Sequence, residues 1–197
     1  MKLIVGLGNY GVKYADTRHN VGYDTIEALV NRHNCPSKFV INDKGDTLSI
    51  AYASEKLSTI LMLPIKGRMN NSGHPVKEML GVIGDSLEDT IVIHDDMDFD
   101  PGIVRIKHGG GDGKHNGVKS LINCIGPDFT RVRIGIGKPK SKEVGRDFVL
   151  STFNKTERKL IDDAIITAMC AVEHLIEHGL QSTMQVYNRR DDDGEEV

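Results

Sequence analysis

The chain of 197 residues has three cysteines, six prolines, a net charge of only −3 and no apolar run near the roughly 20 residues of a membrane-spanning helix. Cys35, Cys124 and Cys170 are odd in number, widely spaced and form no C-x-x-C pair. That pattern indicates neither a disulfide framework nor a zinc site and favours reduced, structural thiols. The apolar residues at the start stop at Gly6, too few for the core of a secretory signal. The expectation is therefore a cytoplasmic protein with no membrane association. Internal repeats and long linkers are also missing, which leaves one domain over residues 1–188 and a short acidic tail, 189–197, expected to be disordered.

Two motifs look familiar but lack a decisive member. Gly6, Gly8 and Gly11 match G-x-G-x-x-G after a short apolar strand, yet no amphipathic pattern begins until residues 20–22, so the helix that would face a pyrophosphate is displaced. Asp96, Asp98 and Asp100 are spaced like a calcium loop, but Pro101 stands where the turn glycine belongs and no bidentate glutamate follows, so no metal is expected. The run Gly109-Gly-Gly-Asp-Gly-Lys-His-Asn-Gly117 lacks the G-K-[ST] ending of a phosphate-binding loop, which disfavours an ordinary nucleotide triphosphatase.

The small net charge hides a strong asymmetry. Residues 102–146 hold ten Lys or Arg against three acids, a local net of +7, on an otherwise acidic chain. Such a stretch can neutralise phosphates or can be an ordinary solvated face. Strands are expected at residues 2–5, 47–53, 58–63, 90–94, 102–107 and 132–136, and helices at 22–33, 72–81, 117–125 and 155–177. In the last helix, Leu160, Ile161, Ala164, Ile165, Ala168, Met169, Val172, Leu175 and Ile176 recur at three- and four-residue spacing, with Asn154 placed to cap it and Gly179 to end it. The expected fold class is α/β, a single domain with a mixed twisted β-sheet surrounded by helices.

Polar clusters fall where such a sheet releases its strands: residues 9–20, 68–73, 94–102 and 109–117. Groups beyond the carboxyl ends of strands converge on a shared crevice. Alone, His19 reads as a buried structural histidine and Asn9, Asn70 and Asn116 as turn or cap residues. Together, in order and spacing, these motifs resemble the bacterial-type peptidyl-tRNA hydrolase family: Gly6-Leu-Gly-Asn9 with Tyr14 and Thr17-Arg-His-Asn20, Met69-Asn70 with Ser72-Gly73, His94-Asp95 with Asp98 and Pro101-Gly102, Gly109 to Gly111 with His115-Asn116-Gly117, Arg131-Val-Arg-Ile-Gly-Ile-Gly137, and Phe148-Val-Leu150. The resemblance runs from residue 2 to about 179.

The resemblance implies a monomeric esterase without metal or other cofactor, which cleaves the ester joining peptide to tRNA. Hydrolysis without a metal needs water deprotonated near neutral pH, a task suited to imidazole, here His19. By resemblance Asp95 pairs with His19, and Asn9, Tyr14, Asn70 and Asn116 bind substrate; neutral amides can donate to a developing oxyanion. The resemblance also assigns tRNA binding to Lys107, His115 and Arg133, and a lid to residues 138–146. The chain departs from the family at Tyr10, where proline is usual, at Arg68, where an aromatic is usual, at Asp112 and Lys114, and after Gly179. A non-catalytic RNA-binding protein on the same fold, or a generic acyl-ester hydrolase, are the competing classes.

Overall fold

A computed structural model describes residues 1–35, 37–43, 46–65, 68–84, 86–139 and 145–189. The proposed tail from 190 onward and the middle of the proposed lid, with Lys140 and Lys142, lie outside the described residues. The elements in chain order are β1 (Lys2–Gly6), α1 (Val21–Arg32), β2 (Ser37–Asp43), β3 (Asp46–Ser54), β4 (Thr59–Pro64), α2 (Gly73–Ile83), β5 (Thr90–Asp96), β6 (Val104–His108), α3 (Asn116–Ile125), β7 (Thr130–Gly135), α4 (Gly145–Val149) and α5 (Lys155–Tyr187).

One seven-stranded sheet carries the molecule, in the order β2-β3-β4-β1-β5-β7-β6. β4, β1, β5 and β7 run parallel to one another, while β2, β3 and β6 are antiparallel to their neighbours. The mixed α/β sheet expected from the sequence is thus present, with one additional strand, β2, at its edge.

The core follows from period-two alternation. Ile4, Leu61, Ile91, Ile93, Val132 and Ile134 face one side, where α1 and α5 bury them with Ile26, Leu29, Ile161, Ala168 and Val172. Leu3, Val5, Met62 and Val92 face the other, against α2 and α3 through Val76, Met79, Val118 and Leu121. Burying a side chain such as Leu or Ile contributes about 1.5–3 kcal/mol, so this doubly covered sheet is the main source of stability.

The glycines of the false dinucleotide motif serve packing. A Cβ on Gly6 would collide with the backbone of Gly22, and one on Gly22 with the carbonyls of Leu7 and Ile93. Side chains at either position would push α1 off the sheet. The cap expected at Asn154 is present as a capping box: its side chain accepts from the backbone of Thr156 and Glu157, and Glu157 accepts from the Asn154 N–H. Gly179, at φ 76°, breaks the regular helix of α5 where the sequence places its end, although a further helical segment continues to Tyr187. Just beyond, Asn188 exchanges two 2.8 Å hydrogen bonds with the backbone of Ile106 and ties down the outer strand β6.

Candidate active site

The parallel strands β4, β1 and β5 end on one side of the sheet. There the chain segments that follow them meet the N-terminus of α3 and enclose a cleft of about 690 Å³. Asn9, Tyr14 and His19 come from the segment after β1, Arg68 to Asn70 from that after β4, His94 to Met97 from β5 and its end, and Asp112 to Asn116 from the loop before α3. Arg146, Val149 and Leu150 line the cleft from α4 and just beyond it.

Asp95 is the buried centre, with 2% of its surface exposed. One carboxylate oxygen, Oδ1, lies 2.8 Å from His19 Nδ1 and 2.8 Å from His115 Nε2. Burial alone would push its pKa up, but the two histidines overcome that and hold the carboxyl below the usual carboxylate range. The tautomers follow from the partners. His115 Nδ1 accepts the backbone N–H groups of Gly117 and Val118 at 3.1 and 3.2 Å, so its proton sits on Nε2 and is donated to Asp95. His19 likewise donates Nδ1–H to Asp95, which leaves Nε2 as its lone-pair nitrogen in the cleft.

His94, the third imidazole, packs edge-on to His115 with ring centroids 5.0 Å apart. Its Nδ1–H donates to the Asp95 carbonyl oxygen, while Nε2 is buried without a partner among the described residues. Burial above all, reinforced by the neighbouring His115, lowers its pKa to about 3 and keeps it neutral.

The turn carrying His19 is fixed from both flanks. Arg18, 6% exposed, donates to the Ile136 carbonyl, to Ser151 Oγ and, at 2.7 Å, to Glu157 of the α5 capping box. Its guanidinium lies between Phe148 and Phe153, at 4.5 and 4.6 Å from the ring centroids. On the other flank Asn20 and Asn9 exchange hydrogen bonds, Asn9 N–H to Asn20 Oδ1 and Asn20 Nδ2 to the Asn9 carbonyl. Asn9 Oδ1 then accepts the Met69 N–H at 2.9 Å, which orients the amide and leaves its NH₂ without a partner among the described residues.

Asn9, Tyr14, His19, Asn70, Asp95, His115 and Asn116 thus share one cleft. Lys107 and Arg133 stand outside it, side by side with Arg131 on the β6–β7 end of the sheet. Arg133 Nε–H donates to Asp96 at 2.7 Å and its guanidinium lies over Phe99, so its terminal nitrogens are the ones without a partner among the described residues. Lys107 is exposed and its Nζ lies close over Gly110. The nearly buried Arg131 holds the glycine loop, donating to the carbonyls of Gly110 and Gly111 at 2.6 Å.

His115, which the resemblance assigns to tRNA, lines the cleft with little of its ring exposed. Only 8% exposed and with both ring nitrogens engaged, it is a cap for α3 and a support for Asp95. Arg18, Asn20 and Met69 are supports not singled out from the sequence; their position beside His19 and Asn70 in the motifs is the signal that marks them. Among the described residues, His19, Asp95 and His115 form the group that could converge on a metal ion. Both imidazoles stand as proton donors to the carboxylate, and an ion there would have to displace both protons.

The family described as peptidyl-tRNA hydrolase matches residues 3–195. A peptidyl-tRNA hydrolase of Syntrophomonas wolfei is 38% identical over 95% of this chain and 100% of its own length, and one of Aliarcobacter butzleri is 43% identical over 89% and 92%. The crystal structure of a peptidyl-tRNA hydrolase from Acinetobacter baumannii superposes with a TM-score of 0.86 at 36% identity, covering 95% of this chain and 94% of the other. The chain belongs to the peptidyl-tRNA hydrolase family.

Proposed function

We propose that this chain performs the reaction for which its family is named, hydrolysis of the ester between a peptide and the terminal ribose of tRNA, with His19 as general base. The observation that carries this reading is the buried carboxylate of Asp95 shared by two imidazoles, one of which keeps Nε2 for the cleft. Water held at His19 Nε2 loses its proton to the ring as its oxygen attacks the ester carbonyl. Asp95 stabilises the imidazolium that forms, as the acid of a Ser-His-Asp triad does. The tetrahedral intermediate collapses with departure of the ribose oxygen, which takes up the proton from His19, and leaves free tRNA and a peptide carboxylic acid that loses its proton to solvent.

The remaining polar groups divide the substrate. The Asn9 NH₂ donates to the oxyanion, and the exposed amides of Asn70 and Asn116 bind the peptide backbone beside it, with Tyr14 along the same wall. Lys107 and the terminal nitrogens of Arg133 bind phosphate of the acceptor stem, reading charge and shape rather than sequence. His115 positions Asp95. The protein acts as a monomer in the cytoplasm; no described helix is long and apolar enough to cross a membrane.

The test is release of deacylated tRNA from an N-acetyl-aminoacyl-tRNA by the purified protein. Turnover that continues in the presence of a chelator supports the reading. Tight binding of the substrate without release would instead identify a non-catalytic RNA-binding protein on this fold.

A further inference from the structure

Arg68 is exposed, lines the cleft and has no carboxylate partner among the described residues. Its backbone, at φ 63° and ψ −179°, occupies a region held almost only by glycine. An arginine at a position where glycine would be relaxed directs attention to its side chain. The acids of the cleft do not neutralise it: Asp95 is taken by the histidines, Asp96 by Arg133, and Asp112 accepts the Lys114 N–H.

Sheet order says which part of the substrate Arg68 meets, given the proposed reaction and phosphate contacts. The phosphate cations stand on β6 and β7, Asp95 ends β5, His19 follows β1, and Arg68 follows β4. RNA that enters from the β7 side brings its ester to His19 between β5 and β1, and the acyl chain continues toward β4. Lys114 and Arg146, the other cations lining the cleft, come from the loop before α3 and from α4, not from the β4 side. Arg68 comes directly before Met69, whose N–H fixes Asn9, and so reaches the cleft from the β4 side, where the acyl chain is directed.

We propose that Arg68 is a specificity-determining residue for the peptide, favouring peptidyl-tRNAs with a carboxylate side chain just upstream of the ester-linked residue. The guanidinium forms an ion pair with that carboxylate and repels a cation there.

The test compares kcat/KM for N-acetyl-Asp-Ala, N-acetyl-Ala-Ala and N-acetyl-Lys-Ala esters of one tRNA, using the wild type, Arg68→Gly, Arg68→Lys and Arg68→Glu at low and high salt. Arg68→Gly suits the backbone conformation and so removes the side chain without endangering the fold. The wild type is expected to prefer the Asp over the Lys substrate by at least about threefold at low salt, the scale of an exposed ion pair. Arg68→Lys keeps part of that preference, Arg68→Gly brings the ratio near one and Arg68→Glu inverts it. An unchanged ratio in Arg68→Gly overturns the proposal; if the salt dependence for all three substrates falls together, the side chain meets RNA instead. Hydrolysis of none of the three by the wild type would overturn the proposed reaction itself and this inference with it.

Discussion

His115 Nε2 lies 2.8 Å from Asp95 Oδ1, the oxygen that also faces His19 Nδ1 at 2.8 Å. The two histidines therefore orient one carboxylate together, and the second does so while its other nitrogen caps α3. Because a hydrogen bond to a charged group contributes about 1.5–3 kcal/mol, losing this one should slow catalysis without touching RNA.

His115→Asn separates the roles of that side chain. Asparagine is a good helix N-cap but is too short to reach Asp95. The expected result is a fall in kcat of roughly 10- to 100-fold with KM and its salt dependence unchanged. A rise in KM with a shallower salt slope, at constant kcat, would restore His115 to the RNA-binding surface.

His94 should leave its mark on stability. Its pKa is lowered to about 3 from an ordinary 6.5, chiefly by burial, with His115, Asp95 and Arg131 as its polar neighbours. Between those values the unfolded chain binds a proton that the folded one refuses, so this contribution is intact above pH 6.5 and is lost as pH falls. From pH 7.5 to 5.5 the loss is about 1.4 kcal/mol for one such group. Asp24 acts in the opposite sense, since burial pushes its carboxyl up to about 6 against the pull of Arg158. Denaturant titrations of wild type and His94→Gln at pH 7.5 and 5.5 should show the variant losing about 1.4 kcal/mol less than the wild type. Equal losses would mean that His94 is protonated in the folded protein.

Lys107 and Arg133 should differ as phosphate contacts. Arg133 already donates Nε–H to Asp96, whereas Lys107 has no such carboxylate among the described residues. Replacing either by Ala should weaken tRNA binding and flatten the dependence of log K on log salt by roughly 0.7–0.9. Adding Asp96→Asn to intact Arg133 should strengthen RNA binding by freeing the guanidinium. An unaltered salt slope in Lys107→Ala would remove that residue from the RNA footprint.

Much of this architecture is legible in the sequence because local pattern and tertiary demand agree. Long amphipathic α5, with Asn154 before it and Gly179 near its end, satisfies periodicity, capping and chain reversal together, and β1, β4 and β5 announce themselves as short apolar runs ahead of polar clusters. β2, with the sequence Ser-Lys-Phe-Val-Ile-Asn-Asp, is polar at both ends, which weakens the local strand signal, and its partner is the neighbouring antiparallel β3. α4 is five residues long, too short for periodicity to register.

The candidate site divides in the same way. His19, Asp95 and the three asparagines are legible because each sits in a short cluster after a strand or before a helix. The support by Arg18 depends on Glu157, 139 positions away, and no local spacing reveals that contact. His115 is given to RNA by the resemblance, and nothing in its glycine-rich segment announces that the ring is buried. Its burial follows from α3 docking against α2, where Gly73 lies too close to Ser120 to accept a side chain.

The most direct measurement is single-turnover hydrolysis of an N-acetyl-aminoacyl-tRNA by wild type and His19→Ala, paired with tRNA binding by the same preparations. General base catalysis contributes about 10²–10⁴ in rate, so the variant should be slower by at least about 100-fold while its tRNA affinity stays within about twofold of the wild type. A His19→Ala protein that releases tRNA at the wild-type rate would contradict the account at its centre.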